Sequence, residues 1–588
     1  MTLIPFVKLV STVLAAGIQL AAAPLLHAAL IPDPEIPPAI HKIQHVVVIM
    51  QENRSFDTYF DTYPGADGIP MRDGEPTVCV PDPEHGGCIK PYLNLNDSNQ
   101  GGPHGETAAL VDINGGKMNG FVAAAEREHE ARCKNTSLEP NCDTGEGAYR
   151  EVMGYHNGYQ IPNYWAYAKN FVLQDHMFEP NKSWSLPAHL FEVSAWSARC
   201  PIFGDPMACE NALQNPEPVP EFSPTGAAPN YDWTDITYLL HKHNVSWKYF
   251  VFTGGEPECE ANEEVPCSAG GNLPPTPEIW SPLPYFVDVR EDGQLPDVES
   301  ISSFFADCQN GTLPSVSWIA PDDNVSEHPP AGIAAGQAYV TTLVNAIMRS
   351  PDWWSTAIFI SWDDWGGFYD NVVPPTVDQN GYGLRVPGLV ISPYARYDYI
   401  DHQILSHDAY LKFIEDDFLE GERLNPKTDG RPDDRPDVRE ELPILGNLIQ
   451  DFNFNQPPAP PFILPPHPAP WSIPTAFRLL DAGTRRRQNP FRQRGRVLTR
   501  FRCTVTCSLT LKGMVGSGGA AIASLAPKTV TFSGLRTIPL RVAGLPLRGL
   551  AARIAALHGA RAVISVTATE VQPPQESVSW TVTIDLRR

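Results

Sequence analysis

The segment His45-Val-Val-Val-Ile-Met50 is a continuous apolar run that breaks directly into Gln51-Glu52-Asn53-Arg54-Ser55-Phe56-Asp57. A run without polar alternation suits a strand covered on both faces, as in a mostly parallel sheet with helices on either side. Residues 171–174, 245–252, 314–320, 357–362 and 387–392 have the same character. Helical patterns lie between them, for example over 336–349 and 407–418. In the second of these Tyr410, Leu411, Phe413, Ile414 and Phe418 gather largely on one face. The alternation predicts an α/β domain over residues 40–451, built on a central, mostly parallel sheet flanked by helices.

The chain then changes character. Residues 452–484 open with a proline-rich stretch that reads as a linker or a surface strap. Over 485–588, stretches at 497–511, 529–532, 538–542, 562–569 and 578–586 alternate apolar with polar or β-branched residues. They predict a small β-sandwich-like accessory domain, with one short helix at 551–558. Charge divides the same way. Residues 485–588 hold 17 Lys and Arg against 3 Asp and Glu, so a +14 module follows a body of −39 within a total of −25. Such a body repels nucleic acid, whereas the basic module suits peripheral contact with anionic lipid or a cell-wall polymer.

The first 29 residues read as a signal peptide. Lys8 precedes an apolar run over 9–26 that ends at His27-Ala28-Ala29, and a proline-rich polar stretch follows where a membrane anchor would carry basic residues. Ten of the eleven cysteines fall into close pairs, Cys79/Cys88, Cys133/Cys142, Cys200/Cys209, Cys259/Cys267 and Cys503/Cys507. Short disulfide-closed loops of this kind belong to an oxidising compartment, and a secreted or extracytoplasmic location is expected. Cys308 is left over and is expected to be a buried thiol.

Ligands in open α/β sheets bind beyond the carboxyl ends of the strands. Glu52 and Asn53 stand at one such end, and Asp363 and Asp364 stand at another, after Trp362 and before Trp365-Gly366-Gly367. Adjacent carboxylates repel unless a cation or a proton relieves them. The four residues together are candidate ligands of a divalent metal ion. Taken alone, Glu52 fits a helix cap or a surface pair with Arg54 somewhat better than a metal site. Ser185, in Ser183-Trp184-Ser185-Leu186-Pro187, follows the run at 171–174 and is the candidate nucleophile. With no Gly-x-Ser-x-Gly elbow around it, activation by a metal fits better than a serine–histidine–aspartate triad. His104 and His328 sit in Gly- and Pro-rich loops, where an imidazole can contact a phosphoryl group or protonate a leaving oxygen.

Gln51-Glu-Asn-Arg-Ser-Phe-Asp57, Trp184-Ser-Leu-Pro187, Ser326-Glu-His-Pro-Pro330 and Trp362-Asp-Asp-Trp-Gly-Gly-Phe-Tyr-Asp370 resemble, in order, the motifs of one family. It is the bacterial phosphoesterase family of phospholipases C and acid phosphatases, similar in fold to alkaline phosphatases and sulfatases. The resemblance covers about residues 42–418. It implies an alkaline-phosphatase-like fold, a metal held by Glu52, Asn53, Asp363 and Asp364, and attack on phosphorus by Ser185 to give a phosphoenzyme. It further implies that His104 and His328 contact the phosphoryl group or its leaving oxygen. Members often carry threonine at the nucleophile and glutamate at the position of Asp364. The expected activity is secreted phospholipase C, on a phospholipid or other phosphate ester. The alternatives are a nonspecific acid phosphatase acting on monoesters and, from another class, a surface-binding protein with an inactive phosphoesterase body.

Overall fold

The computed structural model describes residues 36–135, 148–216, 230–252, 278–469 and most of 478–587. The leader over 1–29 and most of the short helix expected at 551–558 lie outside the described residues. Among the described residues no helix is long and apolar enough to cross a membrane.

An eight-stranded sheet forms the centre of the body. Its strands are β1 (His45–Gln51), β2 (Val172–Gln174), β3 (Trp247–Val251), β4 (Val298–Ser300), β5 (Val316–Ile319), β6 (Thr356–Trp362), β7 (Gly388–Ile391) and β8 (Tyr399–Asp401). In space the order is β4-β3-β5-β1-β6-β7-β2-β8. All pairings are parallel except those of β7, which runs against both β6 and β2. Every residue of β5, β6 and β7 is buried, so both faces are covered and unbroken apolar runs are required. All six strands expected from such runs are present. The edge strands β4 and β8 are three residues each and only partly buried, which leaves no apolar signature.

Parallel pairing in register brings the strand ends together. Gln51 lies beside Trp362 and Ile49 beside Ile319. Because β7 reverses the direction twice, β2 runs the same way as β1. The residues after β1, β2, β5 and β6 therefore emerge along one edge of the sheet, and each of the four family-like motifs involves one of these exits.

The proline-rich stretch is a strap packed on the body. Phe452 stacks on Phe413 with ring centres 5.3 Å apart, and Phe462 and Leu464 are buried in the main core. Asn345 exchanges two hydrogen bonds with the backbone of Leu464, at 2.7 and 3.1 Å.

The C-terminal strands differ from the expected sandwich. They form one hydrogen-bonded sheet of six strands: β9 (Leu479–Asp481), β10 (Arg487–Gln488), β11 (Arg496–Ser517), β12 (Ala520–Ala543), β13 (Ala560–Glu570) and β14 (Ser577–Leu586). The runs at 529–532 and 538–542 belong to one 24-residue strand that pairs with the 22-residue β11 as a long hairpin. Register shifts at Cys503/Cys507, Leu511/Gly513 and Val515/Gly516 break the alternation that would have shown its length. A second apolar core, including Val497, Phe501, Ile564 and Val582, fills this sheet's inner face.

Disulfides join Cys79–Cys88, Cys200–Cys209 and Cys503–Cys507. The Cys133/Cys142 and Cys259/Cys267 pairs fall outside the described residues. Cys308 is a buried free thiol, and burial pushes its pKa up to about 12.

Candidate active site

Glu52, Asn53, Asp363 and Asp364 are all fully buried where β1 and β6 end side by side. The two strand exits are tied by backbone: the Asp363 amide donates to the Gln51 carbonyl at 2.9 Å, and the Asn53 amide donates to Asp363 Oδ1 at 2.9 Å. Asn53 holds φ at 55°, a left-handed conformation that Asn tolerates better than most residues, and its Nδ2 donates to Asp364 Oδ1 at 3.1 Å. Gly366 and Gly367, both at positive φ, fold the chain back over this corner. A Cβ on Gly366 would lie 2.5 Å from the Asn53 carbonyl oxygen.

Ser185 opens the helix Ser185–Ser194 (α1). Its Oγ lies 3.2 Å from Glu52 Oε2 and 3.3 Å from Asp364 Oδ2, and the positive end of the helix dipole favours negative charge on it. One turn on, at i+4 and so on the same face, His189 donates from Nε2 to Glu52 Oε1 at 3.0 Å, with Glu192 Oε2 3.3 Å from Nδ1. Trp280 Nε1 adds a 2.6 Å hydrogen bond to Glu52 Oε1.

Electrostatics make this cluster demanding. Burial and then the adjacent Glu52 drive the Asp363 carboxyl well above the usual carboxylate range. Burial and then Asp364 do the same to Glu179, a further buried carboxyl beside the site. Burial opposes charge on His189, yet its hydrogen bonds to Glu192 and Glu52 and the charges of Glu52 and Asp363 hold its imidazole well above its ordinary value. Asn53 Oδ1 and Asp363 Oδ2 are buried with no hydrogen-bond partner among the described residues. Two orphaned oxygens in a carboxylate-rich pocket fit a divalent cation. Glu52, His189 and Asp363 each offer a ligand atom, all within 4.8 Å of one another.

The candidate histidines approach from separate loops. His104 Nδ1 donates to the Gly102 carbonyl at 2.8 Å, leaving Nε2 to accept from Asn53 Nδ2 at 3.0 Å. His328 Nδ1 donates to the Pro329 carbonyl at 2.7 Å, and the two rings stand 5.8 Å apart, edge to face. Arg54 is fully buried, not a surface partner of Glu52. It donates to the Glu327 carbonyl at 2.5 Å and to Asn99 Oδ1 at 2.9 Å, bracing the loop that carries His328. The Glu327 carboxylate accepts from Tyr59, Tyr164 and Trp362.

The seven candidates therefore converge: Glu52, Asn53, Asp363, Asp364 and Ser185 in one contact cluster, with His104 joined through Asn53 and His328 facing His104. Sequence reasoning did not assign His189, Glu179 or Trp280. For His189 a signal existed, its spacing of four from Ser185 at a helix start.

The chain belongs to the Phosphoesterase family, which matches it over residues 43–419. The family match makes this chain a hydrolase acting on phosphoester bonds. Its relatives include Phospholipase C A of Mycobacterium tuberculosis, 26% identical over 499 residues that cover 74% of this chain and 82% of that protein. Non-hemolytic phospholipase C of Burkholderia pseudomallei is 25% identical over 497 residues, covering 75% and 63%. Hemolytic phospholipase C of Pseudomonas aeruginosa is 25% identical over 430 residues, covering 66% and 55%.

Proposed function

We propose that this chain is a secreted phospholipase C-type enzyme that cleaves the phosphodiester of phospholipids through Ser185 and a phosphoenzyme. The observation that carries the reading is the position of Ser185 Oγ, at a helix N-terminus and within 3.3 Å of two buried carboxylates. Glu52, Asn53, Asp363 and Asp364 would hold the metal, with His189 as an added nitrogen donor or, protonated, a balancing charge. A divalent cation bound there would lower the serine pKa and neutralise charge on the phosphoryl oxygens.

In the first displacement the Ser185 Oγ–P bond forms as the bond from phosphorus to the glycerol oxygen breaks. The serine proton passes to a carboxylate of the cluster, and diacylglycerol leaves with a proton from an imidazolium at His104 or His328. The neutral imidazole then takes a proton from water as the water oxygen bonds to phosphorus and the Ser185 Oγ–P bond breaks. The phosphorylated headgroup leaves, and the protonated carboxylate returns its proton to Ser185 Oγ. Both imidazoles are held through Nδ1 by a backbone carbonyl; the Nε2 of His104 also accepts from Asn53, so its part in the exchange requires that hydrogen bond to open.

An alkaline-phosphatase-like fold for residues 40–451, a linker at 452–484 and an accessory module at 485–588 complete the proposal. The three disulfides support folding in an oxidising compartment. The phospholipase C names of the relatives favour a diester over a monoester substrate.

The test is hydrolysis of p-nitrophenylphosphorylcholine beside p-nitrophenyl phosphate, with and without chelator. We expect the diester to be preferred and chelation to abolish turnover. Equal or better cleavage of the monoester would replace the reading with an acid phosphatase. Absence of hydrolysis at any metal concentration would leave a binding protein.

A further inference from the structure

Away from the proposed catalytic cluster, the loop closed by Cys79–Cys88 presents a second set of metal-binding atoms. Val80–Pro81 pairs with Cys88–Ile89 as a short ladder, and the turn between is fixed by the Gly86 amide donating to the Asp82 carbonyl at 2.9 Å. The His85 amide donates to Asp82 Oδ1 at 2.9 Å, so the Asp82 and His85 side chains meet. Glu126 reaches them from the helix Phe121–Asn135 (α2), and Tyr149 from beyond it.

Three oxygens crowd one nitrogen. His85 Nδ1 lies 3.1 Å from Asp82 Oδ1, 3.3 Å from Glu126 Oε1 and 3.0 Å from Tyr149 Oη. Tyr149 brings its own proton, but an imidazole N–H makes one good hydrogen bond and cannot serve both carboxylate oxygens equally. Glu126 is 3% exposed, and its Oε2 has no hydrogen-bond partner among the described residues. A buried carboxylate oxygen without a hydrogen-bond partner beside a second buried carboxylate is relieved by a cation or by a shared proton, and the nitrogen donor beside the pair favours the cation. Arg150 stands 4.0 Å from Asp82 Oδ2 and is 53% exposed, too remote and too wet to supply it. His85 itself is 44% exposed, which gives an ion a way in.

We propose that Asp82, His85 and Glu126 bind a divalent ion of the zinc class, which fastens the disulfide loop to α2. One imidazole and two carboxylates suit zinc, with a further position open to water. The ligand atoms lie within 4.8 Å of one another. The lobe so fastened has its own apolar core, including Val80, Ile89, Val122 and Trp365. Trp365 stands edge-on to His104 at 6.2 Å, so the ion stiffens the wall behind that histidine.

Equilibrium dialysis of the whole protein against Zn²⁺ tests this by counting bound metal. Wild type should retain one equivalent more than His85→Ala or Glu126→Gln, both of which should still hydrolyse substrate and so report their own folding. Equal stoichiometry in all three overturns the site. A second measurement needs no variant. An ion on Nδ1 leaves Nε2 protonated and neither nitrogen nucleophilic, so Zn²⁺ should slow carbethoxylation of His85 in the wild type by about tenfold or more. An unchanged rate, mapped by peptide mass, overturns the proposal even where the variants fail to fold.

Discussion

At Ser185 the proposed chemistry rests on one oxygen, and truncation separates chemistry from folding. Ser185→Ala removes the proposed nucleophile and takes one hydroxyl donor from Glu52 Oε2 and Asp364 Oδ2, while the other oxygen of each carboxylate keeps its partner, His189 or the Gly366 amide. Turnover is expected to fall by roughly 10³-fold or more with the melting temperature little changed. Ser185→Thr, the residue common in the resembling family, should keep measurable activity. Near-normal turnover in the alanine variant would remove Ser185 from the mechanism. At this scale the sequence was most legible where a buried run stopped at a charge, as at Glu52 and Asp363. It was least legible for Glu179 and Trp280. Glu179 follows a two-residue strand, Met177–Phe178, and Trp280 sits in a short 3-10 turn, so no periodicity marks either as facing the site.

Among the elements, the contact between the two glycine-bearing loops sets the geometry. Gly367 holds φ at 72°, and a Cβ there would sit 2.4 Å from the Gly102 backbone. Gly102 in turn donates its amide to the Gly366 carbonyl at 2.9 Å and accepts from His104. Gly367→Ala must push the His104 loop away from Asp364, and about a 10- to 100-fold loss of kcat is expected, with a lower melting temperature. Wild-type kinetics in that variant would show that His104 needs no such registration. The inner strands were readable because burial on both faces demands unbroken apolar sequence. The direction of β7 was not, since residues 387–392 are as apolar as any parallel strand, and the connection over 363–387 is long enough for a crossover although it carries no helix.

For the whole molecule, the seam between body and C-terminal sheet holds an unusual charge. Arg478 is 2% exposed and stacks 4.3 Å from the Phe171 ring centre, with one hydrogen bond to the Ala395 carbonyl at 3.0 Å. Its Nε and Nη2 have no partner among the described residues, and burial pushes its pKa down to about 9. A cation whose folded pKa lies below its unfolded one costs stability at every pH below about 9 and is relieved only above it. Gln456 also donates to the Ala395 carbonyl, at 2.8 Å, so Arg478→Met leaves that oxygen satisfied. The variant is expected to melt at or above the wild-type temperature at pH 7. A fall of several degrees would mean that the guanidinium has a partner the packing conceals. The charge difference between body and module was plain in sequence, but this seam was not, because it joins residues 171, 395 and 478.

The pairing of Asn53 with Asp363 spans 310 residues of chain, and that separation has a meaning in time. During synthesis, the proposed ligand set is incomplete until Asp364 has been made. On that proposal loading would be a late event, and the ion acquired would be one available in the compartment where folding finishes. Producing the protein in a different compartment would then be expected to change its metal without changing a residue.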